Sequence, residues 1–492
     1  MAFSGEILDY LVSNPKITLT FLLIVFLLIR AIYQFAFHPL SHIPGPLLPK
    51  VTSLWLYWHA YVGDEATVIH KAHERYGPLV RVSPNEVDIS DADAIAPIYV
   101  SKGGFLKAPC YVNFDIDGHG TLFSALDNEY RTPRAKAVLP MFSTKSLKEN
   151  EVVLYQCADR MVQRMKEESR TGRPVNILNI TRSLAIDFVS SHLFLENYNG
   201  TSEKGKKLSV SDFVDAFVAV GRFFYLPNIV FTWLEWAIEK CFPNEHVSNS
   251  MDIVDSFVNN ITDLVSEKPG SYAGRLTSLE LDPTEVRAQC KDLIFAGTDS
   301  TGMNLATICR QLVLHPDKYQ TLYEELQANK TAGSQKQEIQ GLPYLSAVIK
   351  EGLRISMANP TRLPRAVPPE GWTFKGVHFP GGSIVGCGAY ELHFNPKVFP
   401  NPLEFCPERW LEPNATLEAT KYWFAFGAGP RACIARNLAT LELYMATERL
   451  VESDVLRGAR VCKENVEIYE WFNSKVKDEK IELLFEARDV KF

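Results

Sequence analysis

The stretch Phe426-Gly427-Ala428-Gly429-Pro430-Arg431-Ala432-Cys433 leads through two glycines to a single cysteine, and a helical pattern follows over 436–450. Glycine at 427 or 429 can adopt backbone angles closed to other residues and lets the chain pass close to a bulky group. A sulfur delivered in this way suits a flat metal cofactor, and the unpaired N–H groups that open the next helix favour its thiolate. The segment reads first as part of a redox enzyme. Taken alone, it also suits an ordinary buried cysteine.

Four segments upstream bear on that choice. Ala296-Gly297-Thr298-Asp299-Ser300-Thr301 lies inside a helical pattern over 284–314. Small Ala296 and Gly297 leave room for a flat ligand against the helix, while the carboxylate and hydroxyls beside them can open the hydrogen-bond ladder or hold a water. On its own the hexapeptide could equally be a polar patch bending an ordinary helix. Glu351-Gly352-Leu353-Arg354 puts Glu351 and Arg354 on one helix face, though a lone pair of this kind is common on solvated helices. Arg362-Leu363-Pro364-Arg365 offers planar guanidinium forks suited to carboxylates, or a basic surface turn. Tyr130-Arg131-Thr132-Pro133-Arg134 offers further cations.

Taken in order, these segments resemble the cytochromes P450. The cysteine stretch is similar to the family's haem-binding Phe-x-x-Gly-x-Arg-x-Cys-x-Gly, with Phe426, Gly429, Arg431 and Cys433 in place and Ala435 where glycine is usual. Residues 296–301 resemble the oxygen-activation motif, with Ser300 where threonine is usual and Thr301 after it. Serine keeps the relay hydroxyl but lacks the methyl that restricts its rotamer, so coupling of electron use to product is expected to be looser. Glu351 and Arg354, with Arg409 from Pro407-Glu408-Arg409-Trp410, match the Glu-x-x-Arg and Pro-Glu-Arg pair. Their implied role is structural, holding the haem face in position.

The resemblance further implies haem b, with Cys433 as the metal ligand and Arg365 and Arg431 on the propionates. Arg134 joins them if Tyr130 to Arg134 aligns with Trp/His-x-x-x-Arg; anchoring on Pro140-Met141-Phe142-Ser143 shifts the register by one and puts Ala135 there. Asp299 and Ser300, with Thr301, would organise water for proton delivery, and Ala358, Asn359 and Pro360 would line part of the substrate cavity. The implied activity is a haem-thiolate monooxygenase that inserts one oxygen atom of O2 into an apolar small molecule, by hydroxylation or epoxidation, as in filamentous-fungal secondary metabolism. No dinucleotide signature or appended flavin domain is evident. Electrons are therefore expected from NADPH through a separate flavoprotein, NADPH-cytochrome P450 reductase, with cytochrome b5 as a further candidate partner.

Two other readings stay open. One is a haem-thiolate isomerase or dehydratase that needs no reductase, against which Asp299-Ser300-Thr301 speaks. The other is a non-catalytic, membrane-anchored haem or lipid-binding protein. Phe213, Phe217, Phe223, Phe224, and Trp471 or Phe472 suggest an apolar ligand without choosing among terpenoid, polyketide or amino-acid-derived classes.

At 492 residues and 46% hydrophobic composition the chain can bury a large core. A net charge of −7 argues against nucleic-acid binding, which needs a concentrated basic surface. Nine irregularly spaced cysteines do not make a disulfide framework, a zinc site or an iron–sulfur site, and a reducing compartment is the simpler expectation. Residues 17–29 read ITLTFLLIVFLLI, and 31–37 extend the run beyond Arg30. A span needs about 20 residues, which puts Arg30 near an interface with its head outside. A signal peptide competes with an anchor here, but no small-residue cleavage site follows Arg30. The proline-rich segment 38–46 reads as a stiff connector and resembles the hinge of microsomal members.

The expected division is 1–37 membrane anchor, 38–50 proline-rich hinge and 51–492 haem-thiolate catalytic domain. Lys16 precedes the apolar run while Arg30 and Lys50 follow it, so charge asymmetry is weak. A single-pass placement in the endoplasmic reticulum membrane, catalytic domain facing the cytosol, rests on the resemblance. Asn179-Ile180-Thr181 and Asn260-Ile261-Thr262 match a glycosylation pattern that matters only in the lumen.

The fold class expected is mainly α with a minor β region, and the resemblance implies the P450 fold, a long central helix crossing a haem held by a cysteine-ligand loop. A helix over 66–76 precedes strands 79–82 and 86–89, which can form a hairpin at Ser83-Pro84-Asn85. Residues 140–330 are mainly helical, with 266–282 an exposed connection before a long helix starting at Pro283 or Thr284. Short strands are expected at 372–374 and 383–387, and 396–425 lacks periodicity.

Overall fold

Asp282 and Pro283 start the longest helix, Pro283–Leu314. The Asp282 carboxylate accepts the N–H of Thr284 (2.8 Å), and proline takes the first helical position, where a missing donor costs nothing. The computed structural model describes residues 15–485, Lys206 excepted, and this 32-residue helix, about 48 Å long, runs through its interior. Helix Ile177–Val189 lies so close to it that glycine is required at two contacts. A Cβ on Gly302 would stand 2.6 Å from Arg182 Cγ, and one on Gly297 2.6 Å from Val189 Cγ2. Helices Glu151–Ser169, Pro343–Ile355 and Arg436–Glu452 complete one core with it, through residues such as Cys157, Ile308, Val348 and Leu443.

Helices predominate and strands are short, so the mainly α fold with minor sheets is as the sequence predicts. Strands Leu79–Ser83 and Glu86–Ile89 do form an antiparallel hairpin. It continues as a five-stranded sheet through Ile384–Gly386, Arg365–Ala366 and Leu106–Lys107. Trp372–Phe374 pairs instead with Val377–Phe379 in a separate hairpin. The connection 266–282 departs from expectation: it contains helix Tyr272–Thr277, whose Tyr272, Ala273 and Leu276 are buried in the main core. Its glycine and proline content signals turns at either end, but three apolar side chains on one face pull the middle inward.

Helix Pro15–Ile32 continues as a wide turn, Tyr33–Phe37. The span Thr18–Phe37 is long and apolar enough to cross a membrane, with mean hydropathy 2.1. The proline-rich segment after it packs down on the following chain, with Leu40 and Ile43 in the core beside the sheet. Buried Arg81 ties the turn that ends the apolar helix to the hairpin: its guanidinium donates to Gln34 O (3.1 Å), Gln34 Oε1 (2.7 Å) and Pro84 O (2.6 Å). Asn179 is buried, its Oδ1 accepting the Leu208 N–H (2.6 Å), and so is unsuited to glycosylation.

Candidate active site

The approach to Cys433 is closed by its own backbone. The Cys433 N–H donates to Phe426 O (2.9 Å), Ala432 N–H to Gly429 O (3.0 Å) and Gly427 N–H to Phe424 O (3.0 Å). Gly427 and Gly429 have φ of +67° and +71°, so both glycines are needed for the turn. At Gly429 space is also decisive: a Cβ would stand 1.8 Å from the carbonyl oxygen of Tyr99. Gly429→Ala is expected to destabilise the protein by about 3 kcal/mol, combining backbone strain with overpacking, and urea unfolding measures it.

Cys433 faces open space, yet enough protein surrounds it that burial pushes its thiol above the ordinary value. The helix-start N–H of Ala435 and the charge of Arg436 act the other way and are outweighed. The sequence expectation of a helix-stabilised thiolate is thus only part of the balance. A coordinated metal ion deprotonates such a thiol outright.

Behind the loop, Glu351 and Arg354 are fully buried. Glu351 Oε1 accepts from Arg354 Nη2 (2.9 Å), Arg409 Nε (3.0 Å) and the Cys406 N–H (3.0 Å), and Oε2 from Arg354 Nε (2.9 Å) and Trp410 Nε1 (2.9 Å). The structure thus brings Glu351, Arg354 and Arg409 into one network. His393 links it to the cysteine approach: Nδ1 donates to Arg354 O (3.1 Å) and Nε2 accepts the Phe424 N–H (2.8 Å). That geometry requires the neutral ring, and burial beside Arg354 pushes its pKa down to about 3.

Four cations gather at the edge of the loop. Sheet pairing sets Lys107 directly opposite Arg365, a like-charge arrangement that is unfavourable by itself. Arg431 stands near both and Arg131 near Lys107 and Arg431; burial, then Arg365, Arg431 and Arg131, hold the Lys107 ammonium well below its ordinary value with Asp292 opposing, and burial with Arg131 and Arg365 pushes Arg431 down to about 10. The neutral partners are backbone carbonyls and a phenol: Arg131 Nε donates to Leu122 O, Arg431 Nη2 to Leu126 O, and Arg365 Nη1 to Tyr111 Oη. Arg431 Nη1 is buried without a partner. Among the described residues no carboxylate forms an ion pair with any of the four. Such a cluster calls for an anion.

Arg134 lies elsewhere. It pairs with Glu285 (2.6 Å) and covers the Tyr130 ring, so the cation that this segment sends into the cluster is Arg131, one helical turn earlier. Pairing by sequence motif missed it because both arginines sit in helix Asn128–Val138 and only the fold decides which faces the loop. Lys107 and Tyr99 were also missed; no local pattern marks them. The Tyr99 hydroxyl donates to Leu363 O (2.8 Å) and accepts the Cys387 N–H (2.8 Å), bracing the chain behind Gly429.

On the central helix Ala296 is exposed and Ser300 half-buried between buried neighbours, one turn apart on one face. The Ser300 hydroxyl donates back to Ala296 O (3.0 Å). Gly297 serves the packing against Val189, which corrects its expected part in receiving the ligand. Thr301 is buried. Asp299 is buried too, its carboxylate held by Arg182 (2.5 Å), which also pairs with Asp215 (3.1 Å); Asp215 in turn lies 3.3 Å from Lys207. Burial raises the Asp299 pKa, with Arg182 opposing.

Tyr111, Phe114, Phe123, Phe224 and Phe472 form an aromatic cluster from three distant segments. Phe217 stacks 6.4 Å from Phe114 and lies 4.0 Å from Phe295 of the central helix. Phe213 belongs to the main core, Phe223 turns toward Tyr61, and Trp471 stacks on Tyr469.

The cytochrome P450 family model matches residues 45–453. The chain is 38% identical to the cytochrome P450 monooxygenase mfmF of Annulohypoxylon moriforme over 94% of this chain and 98% of that one. It is 30% identical to the cytochrome P450 monooxygenase BOT1 of Botryotinia fuckeliana, over 85% of each, and 29% identical to tazI of Aspergillus terreus, over 86% and 88%. The chain defines an oxidoreductase of the monooxygenase class. It belongs to the cytochrome P450 family, whose cofactor is haem b. The residues present fit that group: a sulfur exposed on its loop for the metal, and beside it cations without an ion-pair partner among the described residues, one with an orphaned buried N–H, for two carboxylates.

Proposed function

We propose that this chain is a haem-thiolate monooxygenase that inserts one oxygen atom of O2 into an apolar small molecule, in fungal secondary metabolism. The observation that carries the reading is the unpaired cluster Lys107, Arg131, Arg365 and Arg431 at the rim of the loop that presents Cys433. Cys433 would hold the metal, and the four cations, without Arg134, would take the propionates. Bound haem supplies dioxygen binding and O–O bond cleavage, which sulfur donation favours.

The chain's own part is positioning and proton handling. Ala296 leaves space against the central helix. Ser300 offers a hydroxyl that can leave its bond to Ala296 O and hold a water, and Asp299 stands behind as the carboxyl that Arg182 keeps oriented. The aromatic cluster excludes water and selects the substrate carbon by proximity.

Electrons would come from NADPH through a separate reductase, and the site would face the cytosol from the endoplasmic reticulum membrane. The apolar span Thr18–Phe37 supports membrane attachment, as do exposed Leu47, Leu54 and Trp58 in the chain that follows. The division into anchor, hinge and catalytic domain at 37 and 50 is part of this proposal. The test is reconstitution: the chain with reductase should show a thiolate-type spectrum of the reduced carbon monoxide complex and NADPH-dependent product from host extracts. Product formed equally well without NADPH and reductase would replace the reading with an isomerase or dehydratase.

A further inference from the structure

Arg81 lies fully buried in strand Leu79–Ser83. Its guanidinium is taken up by uncharged oxygens, those of Gln34 and Pro84, and burial pushes its pKa down to about 10. Two more bases stand in its field: burial, and then the charge of Arg81, lower the Lys50 ammonium and the His38 ring from their ordinary values. Both side chains are half-buried. Lys50 Nζ donates to Ser41 O at 3.4 Å, a long bond that leaves its charge unanswered. His38 Nδ1 accepts the N–H of Leu40 (3.1 Å), so the neutral ring carries its proton on Nε2 as a donor. Among the described residues no carboxylate forms an ion pair with any of the three. Cations brought together and partly desolvated without a counter-charge call for an anion.

Where this corner lies says which anion. Gln34 sits in the last turn of the apolar span Thr18–Phe37, and Arg81 holds both its main-chain and its side-chain oxygen. The connector then folds back on the same residue: Pro44 O accepts the Arg81 N–H (2.9 Å), and a Cβ on Gly45 would stand 2.6 Å from Arg81 O. Arg81, with the two bases in its field, is thus fixed at the end of the span, which in a bilayer is the headgroup layer. Lys50 itself is carried by the short helix Leu47–Val51, whose Leu47 and Leu48 are 72% and 53% exposed. A free phosphate would answer the cations and leave these leucines in water. A phospholipid answers both, phosphate to the bases and acyl chain to the leucines.

We infer that Lys50 and His38, with Arg81 behind them, seat the headgroup phosphate of one anionic phospholipid. Lys50 Nζ and His38 Nε2 are the donors to the phosphate oxygens. Arg81 is a positioning residue, which adds its field and pins the seat to the end of the span. A zwitterionic headgroup brings an ammonium that the same cations repel, so the seat selects for net negative charge. The inference deepens the membrane placement of the proposed monooxygenase and rests on it.

The full-length holoenzyme in nanodiscs of equal phosphatidylglycerol and phosphatidylcholine gives the test, with retained lipid counted by native mass spectrometry. Wild type is expected to keep one phosphatidylglycerol per chain, about five-fold in preference to phosphatidylcholine, the effect of one lysine near the membrane surface. Lys50→Ala is expected to bring the ratio close to one while keeping the haem spectrum, and Lys50→Arg to restore the preference. Lys145→Ala, an equal charge change on the exposed helix Thr144–Glu149, is expected to leave the ratio as in wild type. An unchanged ratio in Lys50→Ala, or an equal loss in Lys145→Ala, overturns the seat. Loss of the preference when inorganic phosphate is added at constant ionic strength overturns the lipid as its occupant. The two failures are distinct: a chain recovered outside the nanodiscs denies the membrane placement, and a nanodisc-bound chain without lipid preference denies the seat alone.

Discussion

Cys433→Ala is expected to abolish turnover and the thiolate-type spectrum of the reduced carbon monoxide complex while leaving the polypeptide folded. The sulfur is presented by the turn around two positive-φ glycines, and among the described residues no other cysteine sits on such a loop. Cys157, Cys290, Cys309 and Cys387 are buried in packed cores, and burial pushes the thiols of Cys290 and Cys387 far upward. None can replace the lost ligand without moving the backbone. Folding should survive, because the loop is closed by the main-chain bonds of Phe426, Gly429 and Cys433, which a methyl side chain does not disturb. The measurements are far-UV circular dichroism, haem content, and the carbon monoxide difference spectrum with reductase-supported turnover. Retention of spectrum and turnover in the variant would place the metal on another residue and sink the site.

Features encoded by local pattern were legible in the sequence. The start of the central helix follows from Asp282-Pro283, the hairpin from Ser83-Pro84-Asn85, and the cysteine loop from its glycines. Glu351, Arg354 and Arg409 were legible as a set because their order along the chain carried the information. Residues whose part is fixed only by distant pairing were not. Lys107 becomes a site residue because sheet register sets it against Arg365. Arg131 displaces Arg134 because Glu285, far along the chain, captures the latter. Arg182 belongs to no motif, yet it holds both Asp299 and Asp215. Gly297 looked like room for a ligand, and the neighbour that fills that room, Val189, belongs to another helix. In each case the deciding contact spans a separation that no periodicity or motif encodes.

Glu351→Gln is expected to lower stability by about 3–5 kcal/mol and to reduce haem retention, although it changes one charge and almost no volume. On a solvated helix the same Glu-x-x-Arg pair would contribute about 0–1 kcal/mol. The difference is burial: Glu351 and Arg354 are both 0% exposed, and the carboxylate is the shared counter-charge of Arg354 and Arg409. Five N–H donors converge on its two oxygens, three on Oε1 and two on Oε2. An amide can turn its oxygen toward the first set, but its NH2 then faces Arg354 Nε and Trp410 Nε1, donor against donor. The cost is therefore an uncompensated buried guanidinium plus two unmade bonds, and the backbone carries it onward. Arg354 also donates to the carbonyls of His393 and Pro402, and His393 in turn accepts the N–H of Phe424, two residues before the cysteine stretch begins. Loosening Arg354 should thus loosen the loop that presents Cys433. Denaturant unfolding of the variant, with haem transfer to an acceptor protein measured in parallel, separates the two effects. Wild-type stability in Glu351→Gln would mean that water reaches this network and that it does not brace the haem face.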